Sequence, residues 1–221
     1  MALLLHIDTA GPLGSIAISS ENELLIEQQN SNQMDHATWI HFAVEEALQT
    51  IGITLSTLDA CSVTIGPGSY TGLRVGLSTA KGYCYALQKP LITIPTLQLM
   101  ASVIHADSSS WICPMIDARR MEVFYALYDD NLQELQPAQA LVLDAHSFET
   151  ELATRKIIFC GDGADKFKTC CSSSNASFSS TKATAAAMVP LALKKFSAKD
   201  FADVAYATPL YGKEFYTQPK S

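Results

Sequence analysis

Four glycines fall within the eleven positions Gly66-Pro67-Gly68-Ser69-Tyr70-Thr71-Gly72-Leu73-Arg74-Val75-Gly76, a turn that must let backbone approach something closely. Such a loop offers N–H groups and a helix N-terminus to an anion. It lacks the Gly-Lys-Ser/Thr ending of a nucleotide-phosphate loop, so phosphate binding has little support. Ser69 has no Gly-x-Ser-x-Gly elbow around it, which disfavours a serine hydrolase. Two carboxylates, Asp8 and Asp117, each end an apolar run and have the chemistry to position Mg²⁺ and a phosphoryl acceptor. Arg119 and Arg120 follow Asp117, and their stems would fill phosphate space; the expectation is that Asp117 pairs with Arg119 as a structural clasp. His36 and His41 are five positions apart, roughly 140° around a helix, so they cannot share a metal ion as an i, i+4 pair does. No metal site is expected. His6, His105 and His146 are isolated.

The elements that would position these groups follow from periodicity. Ala60-Cys61-Ser62-Val63-Thr64-Ile65 reads as a strand entering the glycine loop, and Leu73, Leu77, Ala80, Cys84 and Leu87 as the buried stripe of the helix that leaves it. Gly72, Gly76 and Ala80, with Thr79 and Tyr83 beside them, form a face poor in side chains. Either the chain's own sheet or a second subunit could cover it. Upstream, residues 35–51 form an amphipathic helix with Asp35 as N-cap; Ile40, Ala43, Val44, Ala47, Leu48 and Ile51 share one face, while Trp39 and Phe42 lie off it and lean toward a subunit surface. Residues 3–8 and 15–18 make a hairpin with Asp8 at its mouth, and 112–117 and 121–127 repeat the pattern with Asp117, which suggests duplicated lobes. A strand at 157–160 leads into Gly161-Asp162-Gly163-Ala164 with a helix expected from Asp165. The serine-rich 170–184 reads as a loop with room for a strand at 176–178, and 183–196 as a helix that Pro190 starts or kinks.

Composition narrows the classes. At 221 residues and 48% hydrophobic content the chain can build a core without staples, as one large or two small domains. Six cysteines contain no Cys-x-x-Cys and read as buried thiols, with Cys170-Cys171 the pair most open to oxidation. No window approaches the ~20 apolar residues of a membrane span, and the start lacks a basic leader, so a cytoplasmic protein is expected. The formal net charge of −7 makes the chain alone a poor ligand for a phosphate backbone.

The glycine string resembles the TsaB family of proteins acting in threonylcarbamoyladenosine (t6A) formation in tRNA, position for position from Gly66 to Gly76. Ile7-Asp8-Thr9-Ala10, Asp117-Ala118-Arg119 with Glu122-Val123-Phe124, and Gly161-Asp162-Gly163-Ala164 follow in the family's order. The chain departs near its end, with Pro209-Leu210-Tyr211-Gly212-Lys213 where the family has Pro-x-Tyr-Leu-Arg. The resemblance implies an actin-like ATPase (ASKHA) α/β fold: two ribonuclease-H-like lobes, each a mixed sheet flanked by helices, with residues 1–100 as the first lobe, 101–182 as the second, and 183–221 as a C-terminal helix and tail. It further implies a non-catalytic subunit that scaffolds and activates a TsaD-like threonylcarbamoyltransferase, joined by a TsaE-like ATPase, meeting tRNA only through the complex and able to form a homodimer when alone. The partner interface expected is His36, Trp39, Phe42, Gly72, Arg74, Gly76, Thr79, Ala80 and Tyr83. Asp8, Thr9, Asp117, Arg119, Gly161 and Gly163 would be a vestigial nucleotide cleft. No cofactor is expected beyond weak ATP or ADP binding at the complex interface. The rival expectations are an ATP-dependent kinase or phosphohydrolase and a glycoprotease-like peptidase.

Overall fold

The computed structural model describes residues 2–32 and 35–212. Two five-stranded mixed sheets follow one another along the chain. The first contains β1 (Leu3–Asp8), β2 (Gly14–Ser20), β3 (Glu23–Asn30), β4 (Ala60–Thr64) and β5 (Leu91–Ile94), in the order β3-β2-β1-β4-β5. The second contains β6 (Ser110–Asp117), β7 (Glu122–Tyr128), β8 (Glu134–Val142), β9 (Lys156–Cys160) and β10 (Ala176–Ser179), in the order β10-β9-β6-β7-β8. Read from its first strand, each sheet has the same plan: two antiparallel neighbours on one side, two parallel neighbours on the other. The duplication inferred from the two hairpins therefore extends through the whole topology.

Helices α1 (His36–Ile51) and α2 (Tyr70–Leu87) cover one face of the first sheet. The period-2 alternation of β1 sends Leu5 and Ile7 to Ile40, Val44, Leu48 and Leu77 on that side, and Leu4 to the other. Full burial of each such side chain is worth about 1.5–3 kcal/mol. In the second lobe α4 (Glu149–Thr154) and α5 (Asp162–Lys168) cover one face, around Phe148, Phe159 and Phe167.

The remaining helices cross over. Helix α3 (Thr96–Ser102) follows the first sheet, yet its Leu97 and Ala101 pack with Ile112, Ala126 and Tyr128 of the second. Helix α6 (Met188–Ser197) follows the second sheet, yet its Met188 and Ala192 pack with Leu4, Ala17, Ile92 and Ile94 of the first. Each lobe thus lends its last helix to the other, which places 183–197 on the first lobe. Pro190 sits in the first turn of α6, where its missing N–H costs nothing.

Several elements differ from the sequence reading. Asp35 occupies the cap position of α1 but its side chain makes no capping bond. Helix α5 begins at Asp162 rather than Asp165. β3 and β8 are largely exposed edge strands, and β8 carries Pro137; edge strands show little alternation because one side meets water, which is why periodicity missed them.

Candidate functional site

The glycine loop joins β4 to α2 and is held from several directions. Ser69 N–H donates to Ala10 O (2.7 Å), Thr96 N–H donates to Gly66 O (2.9 Å), and Leu210 N–H donates to Ile65 O (2.7 Å). The Ser69 hydroxyl accepts from Gly72 N–H as the N-cap of α2, a structural duty that explains a serine here without a nucleophile.

The glycine face of α2 points inward. A Cβ on Gly72 would stand 2.0 Å from Thr9 O, and one on Gly76 would stand 2.4 Å from Thr9 Oγ1, with Ile7 and Val63 behind it. Thr9 Oγ1 donates to Gly72 O (2.7 Å), locking α2 to the end of β1. This corrects the partner-facing reading of Gly72, Gly76, Thr79 and Ala80: all four are buried, and the close approach the glycines permit is to the chain's own first strand. His36 is also buried at 2% exposure, its ring against Gly14, and its ring nitrogens have no hydrogen-bond partner among the described residues.

The remaining interface candidates reach the surface. Phe42 is 68% exposed. Trp39 and Tyr83 lie half-buried at the margin of the first-lobe core, so Trp39 divides itself between core and surface. Tyr83 OH meets His41 Nδ1 (3.1 Å), tying the outer faces of α1 and α2 together. Tyr85, 82% exposed one turn from Lys81, belongs to the exposed side of α2 and was missed. Its place off the Leu73–Leu87 stripe was the available signal. Arg74 is exposed, but the chain itself engages it: its guanidinium carbon lies 4.1 Å from the Tyr70 ring centroid and Nε donates to Tyr211 OH (2.8 Å). The segment 209–212 is thereby laid over the glycine loop; Lys213 lies outside the described residues.

The cleft residues are likewise engaged. Asp8 ends β1 with 7% exposure, and its Oδ1 accepts from Ala10 N–H (3.0 Å) and Thr64 Oγ1 (2.7 Å). Burial raises its pKa, opposed by these two bonds and by the field of His36. Asp117 ends β6 and is exposed; Lys166 Nζ meets its Oδ1 at 2.5 Å, and Arg119 donates its backbone N–H to the same oxygen. Slight burial pushes the Asp117 pKa up, but Lys166 and the Arg119 backbone outweigh it and hold it below the usual carboxylate value. The expected clasp exists with a different ion-pair partner: Lys166 pairs directly with the carboxylate, and Arg119 contributes its backbone N–H and a weaker field. Gly161 and Gly163 pack on Met115, where added Cβ atoms would come within 2.3 Å and 2.9 Å, so they serve the contact between α5 and β6. The two carboxylates of the expected cleft are thus each engaged by neighbours in their own lobe.

Phe42 on α1 and Tyr85 on α2 expose their rings, Tyr85 on the Lys81 side of its helix and so away from the Tyr83–His41 contact. No described helix is long and apolar enough to cross a membrane.

Comparison with known proteins places this arrangement. Residues 25–211 match the family model described as TsaD, tRNA N6-adenosine threonylcarbamoyltransferase. A Mycobacterium bovis protein of uncharacterized function is 32% identical over 140 residues, covering 62% of this chain and 64% of its own length. The tRNA threonylcarbamoyladenosine biosynthesis protein TsaB of Bacillus subtilis is 30% identical over 162 residues, covering 72% of this chain and 70% of its own. A Pseudomonas aeruginosa structure, titled as similar to peptidase YEAZ, superposes with a TM-score of 0.85 at 22% identity, covering 96% of this chain and all of that one. That likeness confirms the actin-like α/β fold. The Bacillus relative, together with the family model spanning most of the chain, establishes that this chain belongs to the TsaB family.

Proposed function

We propose that this protein is the non-catalytic subunit of a tRNA threonylcarbamoyladenosine biosynthesis complex, scaffolding and activating a TsaD-like threonylcarbamoyltransferase that modifies the adenosine next to the anticodon. The observation that carries the reading is two exposed aromatic side chains on the outer sides of these helices, Phe42 on α1 and Tyr85 on α2, on a member of a family whose named relatives act in that pathway. Exposed aromatic side chains of this size are what interface centres are made of. The groups that could have done chemistry point the same way: Ser69 caps a helix, Asp8 is buried and doubly hydrogen-bonded, and Asp117 is paired.

In this reading tRNA is reached only through the complex, since a net charge of −7 gives the chain little attraction for phosphate. A TsaE-like ATPase joins the pair, any ATP or ADP affinity resides at the subunit interface, and the α1/α2 face closes a homodimer when the partner is absent. The protein works in the cytoplasm.

The test is co-purification with the catalytic subunit of the same host. Phe42→Asp and Tyr85→Asp are expected to abolish the complex while leaving the unfolding midpoint of the isolated chain unchanged. Retention of the complex by both variants would refute the proposed face. Tight Mg-ATP binding with turnover by the isolated chain, lost in Asp8→Asn, would replace the subunit reading with an enzyme.

A further inference from the structure

The charges of this chain are unevenly placed. Residues 1–73 hold eight Asp and Glu and no Lys or Arg, so residues 74–221 hold the remaining fourteen acids against all fifteen bases. The formal net charge of −7 therefore belongs to the stretch that builds β1 to β4 and α1. On α1 the two exposed carboxylates Glu45 and Glu46 stand three and four positions after Phe42 and flank its 68% exposed ring. Glu45 also follows by four positions His41, which meets Tyr83 of α2 (3.1 Å), while Glu46 accepts from Gln28 Nε2 of β3 (3.3 Å). The outer ridge of α1 thus carries an aromatic ring between one carboxylate on the α2 side and one on the β3 side.

No cation of the chain balances this ridge. The ion pairs among the described residues join His146 to Glu149, Lys166 to Asp117 and Lys195 to Asp200, none of them on α1 or β3. The first two cations in the sequence both lie on α2 and are engaged elsewhere: Arg74 Nε donates to Tyr211 OH (2.8 Å), and Lys81 Nζ donates to Ala205 O (3.1 Å) and Ala207 O (3.0 Å).

We propose that the α1 ridge docks a basic protein face, one that sets an apolar pocket over the Phe42 ring and Lys or Arg side chains over Glu45 and Glu46. The proposal rests on the subunit reading above and names the chemistry that the catalytic partner brings to this helix. The ring supplies the water-excluded centre of the contact, and the two carboxylates supply a rim that steers encounter and rejects partners of the wrong charge. A second copy of this chain is the poorer occupant. A two-fold contact through the ridge sets Glu45 and Glu46 against their own like, so self-association holds only where the basic partner is missing. A nucleic-acid backbone finds no cation on the ridge to meet its phosphates.

The experiment measures binding of the full-length chain to the catalytic subunit of the same host at about 50 mM and about 500 mM NaCl. The dissociation constant is expected to rise about tenfold or more at the higher salt, chiefly through slower association. The double variant Glu45→Lys/Glu46→Lys is expected to weaken binding about tenfold or more at the lower salt, by less at the higher salt, with the unfolding midpoint unchanged. Asp130→Lys/Glu149→Lys makes the same change in net charge on the second lobe and is expected to leave the constant within about twofold. If the Glu45/Glu46 variant does not fold, the salt dependence of the native chain decides alone. A complex of equal strength at both salts, or equal weakening by the two double variants, overturns the basic-partner proposal and leaves the subunit reading standing. No complex at either salt overturns both.

Discussion

The glycines of α2 make a graded test of what that helix is packed against. Replacing glycine by alanine inside a helix gains about 0.5–1 kcal/mol when nothing is in the way. At Gly82 nothing lies within 4 Å of the added Cβ, so Gly82→Ala should deliver the full gain. At Gly76 the Cβ would sit 2.4 Å from Thr9 Oγ1, displacing a buried hydroxyl that donates to Gly72 O. Overpacking costs about 1–3 kcal/mol, so after the helix gain Gly76→Ala should lose up to about 2.5 kcal/mol. At Gly72 the obstacle is the Thr9 carbonyl oxygen at 2.0 Å, part of the backbone, and only a shift of β1 against α2 relieves it. Gly72→Ala should therefore lose about 3 kcal/mol or more. Urea unfolding of the three purified variants measures the series directly. A bulkier Gly76→Leu should leave the isolated chain unfolded rather than merely unable to bind a partner. Equal stability of Gly82→Ala and Gly76→Ala, or a folded Gly76→Leu that has lost only its partner, would refute the own-core packing.

Two further outcomes follow from buried and bridging groups. His6 is fully buried between Ser62 Oγ (2.7 Å) and Ser19 Oγ (2.8 Å), and burial lowers its pKa from 6.5 to about 3. Its unfolded form takes up a proton first, so its contribution is complete above pH 6.5 and is lost as pH falls toward about 3, by about 1.4 kcal/mol per pH unit. His6→Gln should flatten the stability–pH curve in that window, and an unchanged slope in denaturant titrations would show that His6 charges without penalty. Arg74→Ala should remove the guanidinium that bridges Tyr70 and Tyr211 and so loosen the 209–212 segment, read as faster hydrogen exchange of the Leu210 amide that bonds Ile65 O. Unaltered exchange would mean that the backbone bond alone holds the segment.

Much of the architecture was legible because local chemistry announces it. The β-branched run before the glycine loop, the apolar stripes of α1 and α2, and the two hairpins ending in Asp8 and Asp117 each appear as strands or helices near the expected bounds. Exposed edge strands were not legible, since β3 and β8 owe their conformation to neighbours on one side. The exchange of α3 and α6 between lobes had no local signal, because a helix's apolar face does not encode which sheet will cover it.

The sequence alone determined that α2 would have a face poor in side chains, that Asp8 and Asp117 would stand at equivalent strand ends, and that the chain would have little attraction for a phosphate backbone. Only the tertiary structure decided what those features meet. Spacing along a helix fixes which residues share a face but not the identity of the surface opposite, and Thr9 proved to be that surface for Gly72 and Gly76. Likewise a carboxylate's neighbours in sequence do not fix its neighbours in space: Lys166, 49 positions away, pairs with Asp117, while Arg119, two positions on, gives it a backbone N–H. Long-range packing selects among local possibilities because burial is proportional to area removed from water, whichever part of the chain supplies it.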